Sequence, residues 1–160
     1  MADNPHCLMK ETKRKAVFVG SFDPFTVGHA NIVERALHLF DQIVIGVGVN
    51  SEKKYLFSEA ERVEAIRNLY KNNPAVEVKA YHDWTADFAR REGACCIVKG
   101  VRTLNDYRYE RRQALFNREK SGIETVILMA DQQLKNVSST AVRKLLKQGK
   151  PTTNLLPEKQ

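Results

Sequence analysis

The chain has 160 residues, a formal net charge of +7 and 42% hydrophobic residues. This length suits one domain with a real hydrophobic core. No stretch approaches the roughly 20 apolar residues of a membrane helix, and the polar first residues lack the apolar core of a signal peptide. We therefore expect a cytoplasmic protein without a membrane partner. The polar residues 1–13 predict a disordered extension before a domain at 14–160.

Apolar runs alternate with helical patterns along the rest of the chain. The runs predict strands at 16–19, 43–49, 76–80, 94–98 and 125–129. The helical patterns lie near 29–40, 58–71, 84–92, 104–120 and 138–148. Runs that are apolar throughout are typical of strands covered on both faces. The alternation predicts an α/β fold, a Rossmann-like, doubly wound, five-stranded parallel sheet in a single domain.

Several residues mark where the predicted helices begin and end. Ser58 and Glu61 have the spacing of a capping box, and Gly93, Gly122 and Gly149 are placed to stop helices. In such a fold a ligand binds beyond the carboxyl ends of the strands. Candidate functional residues should therefore follow the strands.

The cysteines and the positive charge each have more than one interpretation. Cys7, Cys95 and Cys96 are an odd number without framework spacing, so we expect buried, inert thiols and no disulfide scaffold. The charge fits a nucleic-acid partner or a pocket for polyphosphate substrates. Basic residues are spread out, without a dense run of interleaved aromatics, which favours the pocket.

The segment 20–29 is the clearest functional signal, and it reads Gly-Ser-Phe-Asp-Pro-Phe-Thr-Val-Gly-His. It follows the first strand and opens the first helix, where free N–H groups and the helix dipole favour an anion. His29 can add a donor beside that anion. The segment has neither the Gly-Lys-Ser/Thr ending of a Walker loop nor a G-x-G-x-x-G turn.

Further polar groups lie after the other predicted strands. Lys53 and Lys54 follow the second strand, and Lys99 to Arg102 follow the fourth. Hydroxyl residues at 138–140 open the last helix, where capping needs only one of them. Their number predicts a second anion site at that helix start.

These motifs together resemble one family. Residues 20–29 resemble the (T/S)-F-D-P-x-(T/H)-x-G-H motif of the HxGH-type nucleotidyltransferase superfamily, and Thr26 after Pro24 resembles its phosphopantetheine adenylyltransferase branch. Residues 99–102 are similar to that branch's Arg-Gly-(Leu/Val)-Arg, residues 106–110 to its D-(F/Y)-x-Y-E, and residues 137–140 to its I-S-S-(S/T). The resemblance spans about residues 15–158.

The resemblance implies adenylyl transfer from ATP to 4′-phosphopantetheine. The products are dephospho-coenzyme A and pyrophosphate, formed by direct in-line attack without a covalent intermediate. Mg²⁺ accompanies ATP as its cofactor, and no metal ligands of the protein are expected. Family members are commonly homohexamers, so we expect a homo-oligomer that uses small-molecule substrates and no nucleic acid.

The resemblance also assigns roles to residues. His29 and Lys53 are the implied catalytic residues, and the phosphopantetheine site is implied at Ser21, Lys53, Thr85 and Lys99. The implied ATP site comprises Ser21, Phe22, His29, Gly100, Val101, Arg102, Glu110, Leu134, Lys135, Asn136, Val137, Ser138, Ser139 and Thr140.

The chain departs from the family pattern at a few positions. Lys99 replaces the usual Arg and loses its bidentate fork. Trp84 replaces an aliphatic residue, and the segment 130–136 lacks the usual Pro and aromatic. Two other functions stay open: a sister enzyme acting on nicotinamide mononucleotide or a phospho-alcohol, and a basic nucleotide- or nucleic-acid-binding protein without catalysis.

Overall fold

The computed structural model describes residues 13–158. The predicted extension at 1–13 and Cys7 therefore lie outside the described residues, apart from residue 13 itself. Within the described range no helix is long and apolar enough to span a membrane.

Five strands form one parallel sheet in the order β3-β2-β1-β4-β5. The strands are β1 (Lys15–Gly20), β2 (Gln42–Gly48), β3 (Val76–Tyr81), β4 (Cys96–Val101) and β5 (Glu124–Met129). The predicted five-stranded parallel α/β fold is confirmed. Strand order reverses between β1 and β4, so the crevice for a ligand opens where these two strands end.

Five α-helices connect or follow the strands. They are α1 (Val27–Ala36), α2 (Glu59–Tyr70), α3 (Thr85–Arg91), α4 (Leu104–Ser121) and α5 (Ser139–Lys147), with a 3₁₀ turn at Gln132–Leu134. The capping box of Ser58 and Glu61 is confirmed in both directions. Gly93 and Gly122 adopt left-handed φ values of 66° and 72°, as expected of helix stops.

Apolar side chains cover both faces of the sheet. In β1, Ala16 and Phe18 point to one core, and Val17 and Val19 point to the other. Helices α1 and α2 complete the first core, and Phe88 of α3 fills the second. Burial on both sides explains why β1 and β2 are apolar throughout.

The structure corrects several predicted boundaries and exposures. Strand β4 begins and ends later in the chain than the predicted strand at 94–98, so Lys99 to Val101 lie within it and do not follow it. Helix α1 begins at Val27, because Thr26 caps it, and ends at Ala36. Strand β5 is an edge strand and only half-buried. Cys95 precedes β4 and is exposed, so the prediction of a buried thiol is wrong there, while Cys96 is buried.

Candidate active site

The turn between β1 and α1 fixes the orientation of His29. Thr26 caps α1, and its backbone N–H donates to Nδ1 of His29 at 3.0 Å. In return, the His29 N–H donates to Oγ1 of Thr26 at 3.4 Å. This is a capping box in which histidine replaces the usual Glu or Gln. Because Nδ1 accepts a hydrogen bond from the Thr26 N–H, the neutral ring carries its proton on Nε2.

The surroundings of His29 keep its ring neutral. Burial, and then the nearby positive charges of Arg102 and Lys99, lower its pKa from 6.5 to about 4. The ring packs edge-on against Phe22, with centroids 5.0 Å apart. At neutral pH His29 is therefore an uncharged hydrogen-bond donor beside cationic neighbours.

The start of α1 offers fewer free N–H groups than the sequence suggested. The N–H of Val27 donates to the carbonyl of Leu155 at 3.0 Å, and that of His29 is taken by Thr26. Gly28 keeps the remaining first-turn N–H and lines the cavity beside this turn. The anion site here thus depends more on side chains than the motif alone indicated.

The end of β4 supplies the positive charges. Lys99 Nζ lies 3.4 Å from Oε1 of Glu110 and donates to the Val19 carbonyl at 3.3 Å. The other carboxylate oxygen of Glu110, Oε2, is buried and has no partner among the described residues. It can accept a hydrogen bond from a bound ligand.

Arg102 is held by the element that follows it. Asp106 accepts from Nε of Arg102 at 3.1 Å and from Nη2 at 3.4 Å. Asp106 therefore fixes the orientation of the Arg102 guanidinium. Nη1 donates to the Val137 carbonyl at 3.3 Å, which links β4 to the start of α5.

The hydroxyl groups at the start of α5 already have partners within the protein. Ser138 Oγ caps the helix by accepting from the Ala141 N–H, and Ser139 Oγ donates to the Pro24 carbonyl at 2.8 Å. Oγ1 of Thr140 accepts from Arg143 at 3.1 Å. Ser139 therefore ties α5 to the β1–α1 turn. Of the first-turn N–H groups, that of Ala141 is taken by Ser138, and those of Ser139 and Thr140 stay available for an anion.

Most of the predicted nucleotide residues line one cavity of about 470 Å³. The structure brings these predicted ATP-site residues together there: Ser21, Phe22, His29, Gly100, Arg102, Glu110, Leu134, Val137, Ser138, Ser139 and Thr140. Lys99, from the predicted phosphopantetheine site, also lines this cavity. The cavity opens between the ends of β1 and β4, where the strand order reverses.

A second cavity of about 460 Å³ adjoins the first. Lys53 and Thr85 line it, and Ser21, Lys99 and Glu110 border both cavities. All the predicted phosphopantetheine residues therefore lie around this second space. Trp84 also lines it, and Trp84 is 69% exposed.

The structure does not bring three predicted residues to either cavity. Val101 is completely buried in the core, which leaves no side-chain surface for a nucleotide. Lys135 and Asn136 are exposed and lie outside both cavity linings. For Lys135 and Asn136, the atypical composition of the segment 130–136 was the available signal. The burial of Val101 depends on the register of β4, which the sequence does not indicate.

Asp23 and Arg143 contribute more than the sequence indicated. The buried Asp23 carboxylate accepts from the N–H groups of Leu56 and Phe57 at 2.8 and 2.9 Å, so it anchors the loop that precedes α2. Arg143 lines the first cavity and donates to the Asp23 carbonyl at 2.7 Å. Its position one helical turn after the hydroxyl residues was the available signal.

The described residues contain no group of three or more His, Cys, Asp or Glu side chains suited to a metal ion. The chemistry that this site can support is binding of phosphates by Lys, Arg and N–H donors. A neutral histidine donor lies at its centre.

Comparison with known proteins agrees with this geometry. The cytidylyltransferase-like family model matches residues 17–145. Phosphopantetheine adenylyltransferase of Phocaeicola vulgatus is 48% identical over 91% of this chain and 96% of its own length. That of Bacteroides thetaiotaomicron has the same identity and coverage.

Solved structures support the fold at lower identity. A bifunctional NMN adenylyltransferase/ADP ribose pyrophosphatase from Francisella tularensis, complexed with AMP and a manganese ion, has a TM-score of 0.69 at 17% identity. It covers 93% of this chain and 46% of that one. A putative nicotinate-nucleotide adenylyltransferase from Vibrio parahaemolyticus has a TM-score of 0.61 at 15% identity, over 92% and 95% of the two chains. By its sequence relatives, the chain belongs to the cytidylyltransferase-like family and, within it, to the phosphopantetheine adenylyltransferases.

Proposed function

We propose that this protein transfers the adenylyl group of ATP to 4′-phosphopantetheine. The single observation that carries the proposal is the pair of adjoining cavities that share Ser21, Lys99 and Glu110 as a common border. Two anionic substrates that must react with each other need two adjoining spaces, and Lys53, Lys99 and Arg102 place positive charge around them. The names of the 48% identical relatives support the choice of substrates.

The first cavity is the proposed ATP site. Arg102 and the start of α5 bind the β- and γ-phosphates, and the neutral His29 donates from Nε2 to the α-phosphate. The donor gains strength as charge develops there in the transition state. ATP enters with its Mg²⁺, which neutralises phosphate charge and is carried by substrate and water.

The second cavity is the proposed acceptor site. Lys53 and Lys99 hold the acceptor phosphate, and Thr85 and Trp84 border the remainder of the molecule. A phosphate oxygen of the acceptor attacks the α-phosphorus of ATP in line. The new P–O bond forms as the bond from the α-phosphorus to the bridging oxygen breaks, and pyrophosphate leaves. Positioning and charge stabilisation supply the catalysis, without a covalent enzyme intermediate.

The experiment that tests this function is pyrophosphate release from Mg-ATP. We expect release with 4′-phosphopantetheine, and none without an acceptor or with nicotinamide mononucleotide. Release with the mononucleotide alone assigns the protein to the sister reaction. Absence of pyrophosphate release with both acceptors, together with salt-sensitive binding to a DNA duplex, favours a binding protein without catalysis.

We also propose a homo-oligomer in the cytoplasm, where ATP is available. Helix α4 has 18 residues, and Asn117 is the buried residue among them. An apolar face defined by Leu104, Leu115 and Phe116 of α4 is exposed, and Trp84 extends it by packing against Phe116 with ring centroids 5.8 Å apart. Further copies of this chain are the proposed cover for this face, which is consistent with the hexamer implied by resemblance.

A further inference from the structure

Arg62 is a buried charge on the core side of α2. It is 3% exposed and lies beside the buried Val63 and Ile66. In the described part of the chain no carboxylate pairs with it. Instead, its Nη1 donates to the carbonyls of Ser21 at 2.5 Å and Gly48 at 3.2 Å. Burying a guanidinium costs free energy unless it is well hydrogen-bonded. The hydrogen bonds of Arg62 go only to backbone carbonyls at the ends of β1 and β2.

The same guanidinium stacks on Tyr55 in the loop of residues 49–57, which connects β2 to α2. Its central carbon lies 4.0 Å from the ring centroid. Tyr55 Oη accepts the N–H of Asn50 at 2.9 Å, and the N–H of Lys53 donates to the Asn50 carbonyl at 3.0 Å. The contacts therefore run without a break from Arg62 through Tyr55 to the turn that carries Lys53.

We propose that Arg62 and Tyr55 form a clamp that positions loop 49–57, and with it Lys53, at the second cavity. Arg62 lines neither cavity, so it is a positioning residue that acts through Tyr55 and the Ser21 carbonyl. Asp23 holds the far end of the same loop through Leu56 and Phe57. The clamp thus fixes the half of the loop that Asp23 does not reach. Its kinetic consequence rests on the proposed function.

Hydrogen–deuterium exchange of the full-length protein tests the clamp without any assay of turnover. We expect Arg62→Met and Tyr55→Leu each to speed exchange of the Asn50 and Lys53 amides about tenfold, since a desolvated cation–π contact is of that strength. Arg67→Met is the matched control. Arg67 lies on the same helix and donates to the Val78 carbonyl at 3.3 and 3.2 Å, away from this loop.

Kinetics test whether the loop positions Lys53. We expect Arg62→Met to raise the KM for 4′-phosphopantetheine about tenfold, as the same loss of contact predicts. The KM for ATP should rise less, since only the bond to the Ser21 carbonyl connects Arg62 to the first cavity. Lys53→Ala should shift the same constant, and Arg62→Lys should restore part of the loss, because a lysine reaches a carbonyl but does not stack as a plane. Tyr55→Phe keeps the stacked ring, so its KM for 4′-phosphopantetheine should lie between those of the wild type and Tyr55→Leu.

The possible failures are distinguishable. Unchanged exchange in both Arg62→Met and Tyr55→Leu overturns the clamp, whatever the enzyme's substrate. Faster exchange with an unchanged acceptor KM overturns the positioning of Lys53. Absence of turnover in the wild type contradicts the proposed function, and the exchange rates still decide whether the clamp exists. If Arg62→Met does not fold, Tyr55→Leu alone decides both points.

Discussion

His29 illustrates how one side chain can serve both the backbone and the site. Its Nδ1 closes the capping box of α1, which fixes the ring and its tautomer. Its low pKa, caused by burial and by Arg102 and Lys99, keeps it neutral at physiological pH. It can therefore donate to a phosphate without adding a buried charge when the site is empty.

We expect His29→Ala to lower kcat about 100- to 1,000-fold, the usual cost of one lost preorganised donor. The fold should persist, because Thr26 still caps the helix through its own carbonyl and hydroxyl. Initial rates of pyrophosphate release and circular dichroism check the two statements. His38→Ala, at an exposed position, is the matched control. A variant with near-normal kcat would remove His29 from the transition state.

The neutral state of His29 also predicts a pH dependence of stability. The unfolded chain binds a proton on this residue near pH 6.5, whereas the folded protein does so only near pH 4. Between these values the unfolded state holds more protons, so the free energy of unfolding falls as the pH drops from 6.5 to 4. One proton corresponds to a slope of about 1.4 kcal/mol per pH unit.

Urea unfolding of wild type and His29→Ala across this pH range measures that slope. We expect the wild type to lose stability more steeply than the variant, while His38→Ala follows the wild type. Parallel curves for wild type and His29→Ala would show that burial does not hold the ring neutral.

At the scale of elements, the packing of α1 against β4 determines the position of His29. A Cβ built on Gly100 would lie 2.9 Å from Cγ1 and 3.1 Å from Cδ1 of Ile32, one turn after His29. Gly100 therefore serves helix packing, in addition to the ATP-site role that the resemblance implies for it.

We expect Gly100→Ala to reduce the free energy of unfolding by about 1–3 kcal/mol, as overpacking does. Ile32→Ala removes both crowded carbons and should destabilise on its own by about 2–5 kcal/mol. The double variant should lose less free energy of unfolding than the two single losses added together, because each change relieves the crowding that the other residue causes. Urea unfolding measures all four proteins, and strict additivity would contradict the packing argument.

The range of the interactions determined what could be predicted at this scale. The capping box of Ser58 and Glu61 and the stops at Gly93 and Gly122 depend on near neighbours, so the sequence predicts them correctly. The parallel direction of the strands follows from the alternation of strand and helix patterns alone. The sequence could not indicate that Asp23 reaches the N–H groups of Leu56 and Phe57, because that contact exists only after β1 and β2 have paired.

In the candidate site, too, the features that depend on long-range contacts are the ones that the sequence does not indicate. The family resemblance implied a set of site residues, most of which border one of the two cavities, since strand ends in a parallel sheet meet at one edge. It could not predict that Val101 turns into the core, because that depends on the register of β4. Arg62 carried a usable signal, a charged residue in the apolar stripe of α2 beside Val63 and Ile66.

For the whole molecule, charge and apolar surface have different explanations. The net charge of +7 suits a protein whose substrates are polyanions, and Lys53, Lys99 and Arg102 border the two cavities. The apolar face of α4 lies outside those cavities, except where Trp84 borders the second. Substrate binding therefore leaves most of that face exposed to water, and this exposure is the basis of the proposed homo-oligomer.

We expect the wild-type protein to sediment as an assembly of several copies, and Leu115→Lys/Phe116→Lys to shift it towards the monomer. Both side chains belong to the apolar face, with exposures of 49% and 38%, and buried lysines at an interface would lack partners. Leu39→Lys is the matched control, because Leu39 is 44% exposed but follows α1, on the other side of the sheet. Sedimentation velocity at one fixed protein concentration compares the three, since assembly depends on mass action. A monomeric wild type, or an assembly that survives both lysines, would contradict the role of this face.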